Sequence, residues 1–168
     1  MRNPVKDAET IVDSLRDADG VLKLPIDPVK VARNLGVNVY QAPMENKTSG
    51  MIARAQAGGD VDVILNSQHA PVRQRFTCAH ELGHYVDVIH DDPAGQRVFF
   101  RKRDALAACG TDRDEIYANQ FAANLLMPAS EVRALHRRGH NTVSLSQIFA
   151  VSTQAMSNRL VNLGLELA

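Results

Sequence analysis

The segment His80-Glu81-Leu82-Gly83-His84 constrains this chain more than any other part of the sequence. Residues four positions apart lie on the same face of an α-helix, so the two imidazoles can bind one metal ion together. Glu81 is rotated away from that face and leans over the coordination position that is left open. The pattern therefore predicts a helix carrying a metal site of the kind that a zinc hydrolase needs.

We expect this helix to run from Pro71 to about His90. Proline suits the first turn of a helix, and the apolar residues recur at helical spacing on the side that would face the core. These residues are Phe76, Ala79, Leu82, Gly83, Val86 and Ile89. A glycine inside a helix costs about 1 kcal/mol relative to alanine. A close approach of another element would explain Gly83.

Length and composition predict one domain over residues 1–168, because 168 residues with 45% apolar content can bury a proper core. Within it we expect N-terminal helices and a small sheet in residues 1–70, metal-site helices in 71–128 and C-terminal helices in 129–168. Cys78 and Cys109 form neither a disulfide-rich pattern nor a C-x-x-C motif. Cys78 is expected to be a small buried residue.

Charge and hydropathy argue against membrane and nucleic-acid partners. Nineteen basic and nineteen acidic side chains cancel, so no net charge recruits nucleic acid or an anionic membrane. The first ten residues lack an apolar run, and no stretch approaches the roughly 20 apolar residues of a transmembrane helix. We expect a cytoplasmic protein.

The remaining periodicities predict an α+β fold that is mostly helical. Asp27 is expected to cap a helix that stops at Gly36. Alternation predicts a three-stranded antiparallel sheet, with strands Val37–Tyr40, Thr48–Ala55 and Val61–Asn66 and a turn at Gly58-Gly59-Asp60. The segment Asp91–Gly110 is expected to be a surface excursion docked by Val98 to Phe100. Helices are expected at Thr10–Arg16, Asp112–Met127, Pro128–Arg137, Leu145–Ala150 and Thr153–Leu163.

A catalytic zinc site needs a third protein ligand, and His90 is one candidate. Its distance from His84 reproduces the spacing of metzincins, except that Asp87 stands where those proteins have a glycine. That glycine allows the helix to break and to swing the last histidine back to the metal. Without a break, His90 would point elsewhere.

Glu115 is the other candidate. Together with Thr111, Asp112 and Asp114 it also resembles an ordinary acidic helix N-terminus. Glu115 nevertheless shares its face with the small inward residues Ala118 and Ala122, where two helices can approach closely. An acid at the start of an inward face requires a partner, and a metal would be one. Spacing alone favours Glu115 but leaves both candidates open.

Two blocks of the sequence resemble the ImmA/IrrE family of bacterial metallo-endopeptidases. The first is Phe76-Thr77-Cys78-Ala79-His80-Glu81-Leu82-Gly83-His84, and the second runs from Glu115 through Ala118-Asn119 to Leu125-Leu126-Met127-Pro128. The resemblance implies a minimal zincin-like fold, with His80, His84 and Glu115 as metal ligands and Glu81 as the catalytic base. Tyr117 departs from the family pattern, since many members carry a second acid there.

The implied cofactor is Zn²⁺, with Mn²⁺ as an alternative that a His₂Glu site accepts. Asn119, one turn after Glu115, is expected to orient that carboxylate. The residue that stabilises the oxyanion stays open among Tyr85, His69, His136, His140 and Arg73. The strand Val61–Asn66 is expected to accept an extended peptide along its edge. The implied substrate is a transcriptional repressor of the helix-turn-helix type, from a mobile element or a stress regulon.

The segment Leu145–Leu163 suggests a different class of function, because its apolar spacing is typical of a helix-turn-helix motif. Val151-Ser152 would form the turn, and Ser152 would cap the second helix. The would-be recognition helix carries one basic residue, Arg159, whereas phosphate contacts need several. We therefore expect this pair to pack on the core. A DNA-binding regulator, or a toxin-antitoxin-like component that binds metal without turnover, stays the alternative.

Overall fold

Seven helices and a four-stranded sheet form the part of the chain that this computed structural model describes, residues 2–104 and 113–166. The α+β class is confirmed. Predictions about Cys109, Thr111 and Asp112 lie outside the described residues. The helices are α1 (Pro4–Ser14), α2 (Pro28–Asn34), α3 (Pro71–Asp91), α4 (Arg113–Leu126), α5 (Ala129–Arg137), α6 (Thr142–Phe149) and α7 (Thr153–Asn162). The strands are β1 (Val37–Ala42), β2 (Thr48–Arg54), β3 (Val61–Asn66) and β4 (Phe99–Asp104).

The sheet has the order β1-β3-β2-β4 and is mixed. Strands β1 and β3 are parallel, while β2 is antiparallel to both β3 and β4. The expectation of three antiparallel strands was therefore wrong, although the three predicted strands are present. Alternation shows that a segment is a strand but does not show which neighbour it pairs with. Because β3 is paired on both sides, the expectation that a peptide adds to its edge was also wrong.

Strand β4 lies where the sequence predicted a surface excursion. It forms the edge of the sheet. Of the three apolar residues that were expected to attach this segment to the core, Val98 to Phe100, only one packs there. Phe99 packs against the core, whereas Val98 is 56% exposed and Phe100 is 64% exposed. The basic run that follows Phe100 concealed the alternation of a strand.

Capping residues fix several helix ends as expected. The Asp27 side chain accepts hydrogen bonds from the backbone of Val29 and Lys30 at the start of α2, and Gly36 ends the turn at a φ of +74°. Ser152 caps α7 by accepting from the backbone of Ala155. Helix α1 begins at Pro4, six residues before the predicted Thr10, because Asn3 supplies a cap there. Asn141 likewise starts α6 three residues before Leu145.

Helices α3 and α4 pack closely at Gly83, which confirms the expected close approach. A Cβ atom built on Gly83 would lie 2.8 Å from Ala118 Cα and 3.1 Å from the Ala118 carbonyl oxygen. Both neighbours are backbone atoms, which cannot rotate away. The missing side chain therefore sets the distance between the two helices, and Glu115 lies one turn before this contact.

We expect Gly83→Ala to lower the free energy of unfolding by about 1–3 kcal/mol, because the added methyl group overpacks the contact with Ala118. Helix propensity alone predicts the opposite sign, a gain of about 1 kcal/mol. Urea unfolding of the metal-free protein distinguishes the two effects. A stabilised variant would contradict the close packing of α3 on α4.

Candidate metal centre

Helix α3 presents two buried imidazoles at its middle. His80 is 0% exposed and His84 is 2% exposed. Their Nε2 atoms lie 3.0 Å apart, and the rings meet edge to face with centroids 4.7 Å apart. The helical spacing of four residues therefore directs both ring nitrogens at one point.

Glu115 reaches the same point from the first turn of α4. Its Oε1 atom lies 3.0 Å from His84 Nε2, and its Oε2 atom lies 3.2 Å from His80 Nε2. One ligand atom from each of the three side chains falls within 4.8 Å of the others. Two imidazole nitrogens and one carboxylate oxygen are a donor set that divalent transition metals accept. The three residues therefore fit a divalent metal ion.

The protonation of these side chains also suits a metal. Burial lowers the pKa of His80 to about 4, so this ring is neutral at pH 7 and its free nitrogen can bind a cation. Burial acts to raise the pKa of Glu115, but the adjacent imidazoles of His80 and His84 outweigh it and hold the pKa below its ordinary value. Glu115 is therefore ionised, and its negative charge faces the neutral ring of His80.

Asn119 fixes the orientation of one ring. Its Oδ1 atom lies 2.9 Å from His80 Nδ1, and because an amide oxygen only accepts, His80 Nδ1 donates this bond. The proton is thus held on Nδ1, which leaves Nε2 free to face Glu115 and His84. The expected partner of Asn119 was Glu115, and the structure gives it His80 instead.

Glu81 lies next to this group as a buried acid. Its side chain is 1% exposed, and neither carboxylate oxygen has a hydrogen-bond partner among the described residues. Burial raises the pKa of Glu81 to about 8. A buried carboxyl group that served only the fold would ordinarily be hydrogen-bonded. Glu81 therefore puts two buried carboxyl oxygens, without a hydrogen-bond partner among the described residues, next to His80.

A family model described as the IrrE N-terminal-like domain, Peptidase_M78, matches residues 32–161. The chain belongs to this family. The match confirms the resemblance to ImmA/IrrE proteins and spans both α3 and α4, so it includes all five side chains described above. It also indicates an activity of the peptidase type. The comparison with curated proteins found no match.

His90 lies outside the metal group of this Peptidase_M78 chain. Helix α3 continues without a break through Asp87 to Asp91, so His90 is carried past the site. It is 42% exposed at its side chain, and its Nε2 atom lies 3.2 Å from Asp7 Oδ2. The structure therefore contradicts the metzincin-like alternative for the reason given by the sequence: the helix lacks the glycine at which it would turn.

Four of the five residues considered for the oxyanion have side chains in contact with residues outside the metal group. The Tyr85 hydroxyl donates to the Leu35 carbonyl at 3.3 Å, and Arg73 donates to Ser49 Oγ at 2.9 Å. His69 Nε2 lies 3.0 Å from the Asn46 carbonyl, and His136 Nε2 lies 3.1 Å from the Glu166 carbonyl. The fifth residue, His140, is placed at the end of α5 by a backbone hydrogen bond from its amide to the Leu135 carbonyl.

Arg103 is the charged side chain near the Peptidase_M78 site that the sequence analysis missed. It was assigned to a surface run, but the structure places it on β4 with its guanidinium carbon 5.2 Å from the centroid of the Phe76 ring. Phe76 lies one turn before His80. The signal available in the sequence was the alternation of Phe99, Arg101 and Arg103, which puts three side chains on one face of a strand.

Between residues 2 and 104, and again between 113 and 166, this Peptidase_M78 chain has no helix with the length and apolar character that crossing a membrane requires.

Proposed function

We propose that this chain is a metal-dependent endopeptidase in which His80, His84 and Glu115 hold the metal and Glu81 is the catalytic base. The observation that carries the proposal is the convergence of three metal-binding atoms within 4.8 Å, beside a buried carboxyl group without a hydrogen-bond partner among the described residues. Membership of a peptidase family supports the reaction type.

The proposed reaction is the hydrolysis of a peptide bond by water. A divalent metal held by the three side chains supplies Lewis-acid chemistry, because it acidifies water and polarises a carbonyl group. Glu81 takes the proton from the water as the oxygen attacks the carbonyl carbon. It then gives this proton to the amine nitrogen when the C–N bond breaks. The burial that raises the proton affinity of Glu81 suits a group that must both accept and donate a proton.

Zinc is the proposed ion, because a catalytic zinc site has three protein ligands of this type and one open position. A His₂Glu site also accepts manganese. Asn119 supports the site by holding the His80 ring in one tautomer. Elemental analysis of protein purified without added metal identifies the ion.

The proposed substrate is a helix-turn-helix repressor. We propose that a segment of it binds in an extended form next to the metal position. Strand β4 ends the sheet order, so its outer edge is unpaired among the described residues. An extended segment can add to such an edge through backbone hydrogen bonds. This edge replaces the edge of β3 that the sequence suggested.

The test is incubation of the metal-loaded protein with the repressor encoded next to its gene, followed by mass spectrometry of the products. We expect one or a few discrete cuts that stop on chelation and resume when zinc is restored. A bound metal with an intact repressor would contradict the proposed substrate. Failure to cleave unfolded casein as well would contradict the proposed endopeptidase activity.

The contacts of Arg159 support the peptidase over the DNA-binding alternative. Arg159 is the basic residue of α7, and it is 7% exposed. Its guanidinium donates to the Met127 carbonyl at 2.9 Å and to Asn124 Oδ1 at 2.8 Å. The charge that would have to contact phosphate therefore joins α7 to the end of α4.

A further inference from the structure

The register of the sheet directs Arg103 at helix α3. Arg103 pairs with Gly50 across β2 and β4, and directly opposed residues of neighbouring strands project from the same face. A Cβ atom built on Gly50 would lie 2.6 Å from Thr77 Cγ2, so this face of the sheet looks onto α3. The Arg103 side chain therefore extends toward the turn of α3 that precedes His80.

Arg103 and Glu81 are ionisable side chains that do not hydrogen-bond to each other. Nη1 of Arg103 is buried without a hydrogen-bond partner among the described residues, as are both carboxylate oxygens of Glu81. Both side chains belong to the same part of the fold, because the Arg103 guanidinium carbon lies 5.2 Å from the centroid of the Phe76 ring, about one turn before His80 and Glu81 on α3. Each side chain thus has buried polar atoms whose hydrogen-bonding capacity no described residue uses.

Neighbouring arginines do not share this property. Arg101, on the same face of β4, pairs with Asp114 at 2.6 Å, and Arg73 donates to Ser49 Oγ. Buried charged groups are normally paired, because an unpaired one loses its hydration without compensation. One buried guanidinium nitrogen of Arg103 and both buried oxygens of Glu81 therefore keep hydrogen-bonding capacity that a polar substrate group could use.

Arg103 also borders open space large enough for a substrate side chain. Arg103 lines a cavity of about 650 Å³ between the first half of α3 and the start of α7, together with Val72, Phe76, Val151 and Ala155. This volume is in the range of ordinary ligand sites. A substrate side chain in the cavity would place its own backbone next to the guanidinium.

We propose that Arg103 binds the carbonyl oxygen of the scissile peptide bond and stabilises the negative charge that this oxygen acquires. Glu81 handles the proton of the attacking water, and Arg103 donates a hydrogen bond to the oxygen as the carbonyl π bond opens. This inference rests on the proposed function. Removal of one such donor costs about 10²–10³-fold in kcat.

The test uses the cobalt-substituted protein and phosphoramidon, a dipeptide phosphoramidate whose tetrahedral anion resembles the transition state. Binding is followed by the visible spectrum of the cobalt. We expect Arg103→Gln to weaken binding of this anion by about 10²-fold or more, and Arg103→Lys to retain part of it. The matched control is Lys102→Gln, which removes one positive charge from the exposed, opposite face of the same strand. This variant should bind phosphoramidon with the affinity of the parent protein.

Cobalt affinity is measured in parallel and should be the same in all four proteins, because Arg103 does not contact the metal. In cleavage of the repressor, Arg103→Gln should lower kcat while KM changes little. Equal phosphoramidon affinity in parent and Arg103→Gln, or no binding to a cobalt-loaded parent, would overturn the proposal. Loss of cobalt together with the anion would overturn it too, because Arg103 would then act on the metal site itself. A parent protein that takes up no cobalt would overturn the proposed function first.

Discussion

Glu81→Gln is expected to abolish peptide cleavage while the protein keeps its metal. The amide occupies nearly the same volume but cannot accept the proton of the attacking water, and the loss of a general base costs about 10²–10⁴-fold in rate. Glu81 is not one of the three side chains that converge on the metal position. Elemental analysis and single-turnover cleavage rates measure the two quantities. Equal loss of metal and activity would show that Glu81 holds the metal rather than the proton.

The stability of the metal-free variant is the control that excludes unfolding. Burial raises the pKa of Glu81 from 4.5 to about 8, so at pH 7 the folded protein keeps a proton that the unfolded chain releases. This difference destabilises the parent by about 3 kcal/mol at pH 7, and glutamine removes it. Urea unfolding should therefore find the variant more stable at pH 7. The gain should vanish as the pH falls to about 4.5, where the unfolded chain binds the proton as well.

Local patterns predicted the elements of this fold but not the pairing of its strands. The helix Pro71–Asp91 followed from its apolar spacing and its N-terminal proline, and α2 followed from Asp27 and Gly36. The parallel pairing of β1 with β3 depends on contacts between residues distant in sequence. An alternating segment looks the same whether its partner is parallel or antiparallel.

Strand β4 was missed because its sequence breaks the rule that charged side chains face solvent. Arg101 and Arg103 lie on its inner face, toward α3 and α4, while Phe100 faces outward. A pattern analysis interprets such a run as an exposed loop. Departures of this kind are expected where a fold carries a functional site, because the charges serve chemistry at the expense of packing.

The site shows the same division between local and tertiary information. The spacing of His80 and His84 was sufficient to predict that both rings face one point, because a single helix determines it. Asn119 was assigned to Glu115 since the two lie one turn apart on α4. The close packing of α4 on α3 brings His80 to Asn119 instead. Sequence spacing therefore identified the residues, but the contact between helices decided which atoms meet.

Glu115→Ala is expected to reduce metal affinity by more than about 100-fold. The carboxylate is the one negatively charged member of the group, with oxygens 3.0 Å from His84 Nε2 and 3.2 Å from His80 Nε2. Loss of a residue that only hydrogen-bonds to a metal ligand already costs about 10–100-fold in affinity, so loss of a ligand should cost more. Competition with a chromophoric chelator measures the affinity.

His90→Ala is the matched comparison, because it removes the other residue that sequence spacing offered as third ligand. Its affinity for metal should equal that of the parent, since α3 carries His90 past the site and directs it at Asp7. If His90→Ala lost more metal affinity than Glu115→Ala, helix α3 would have to break near Asp87 when the metal binds. Equal, small losses would mean that the two histidines hold the ion without a protein carboxylate. Only a loss confined to Glu115→Ala agrees with the convergence of α3 and α4 on one metal.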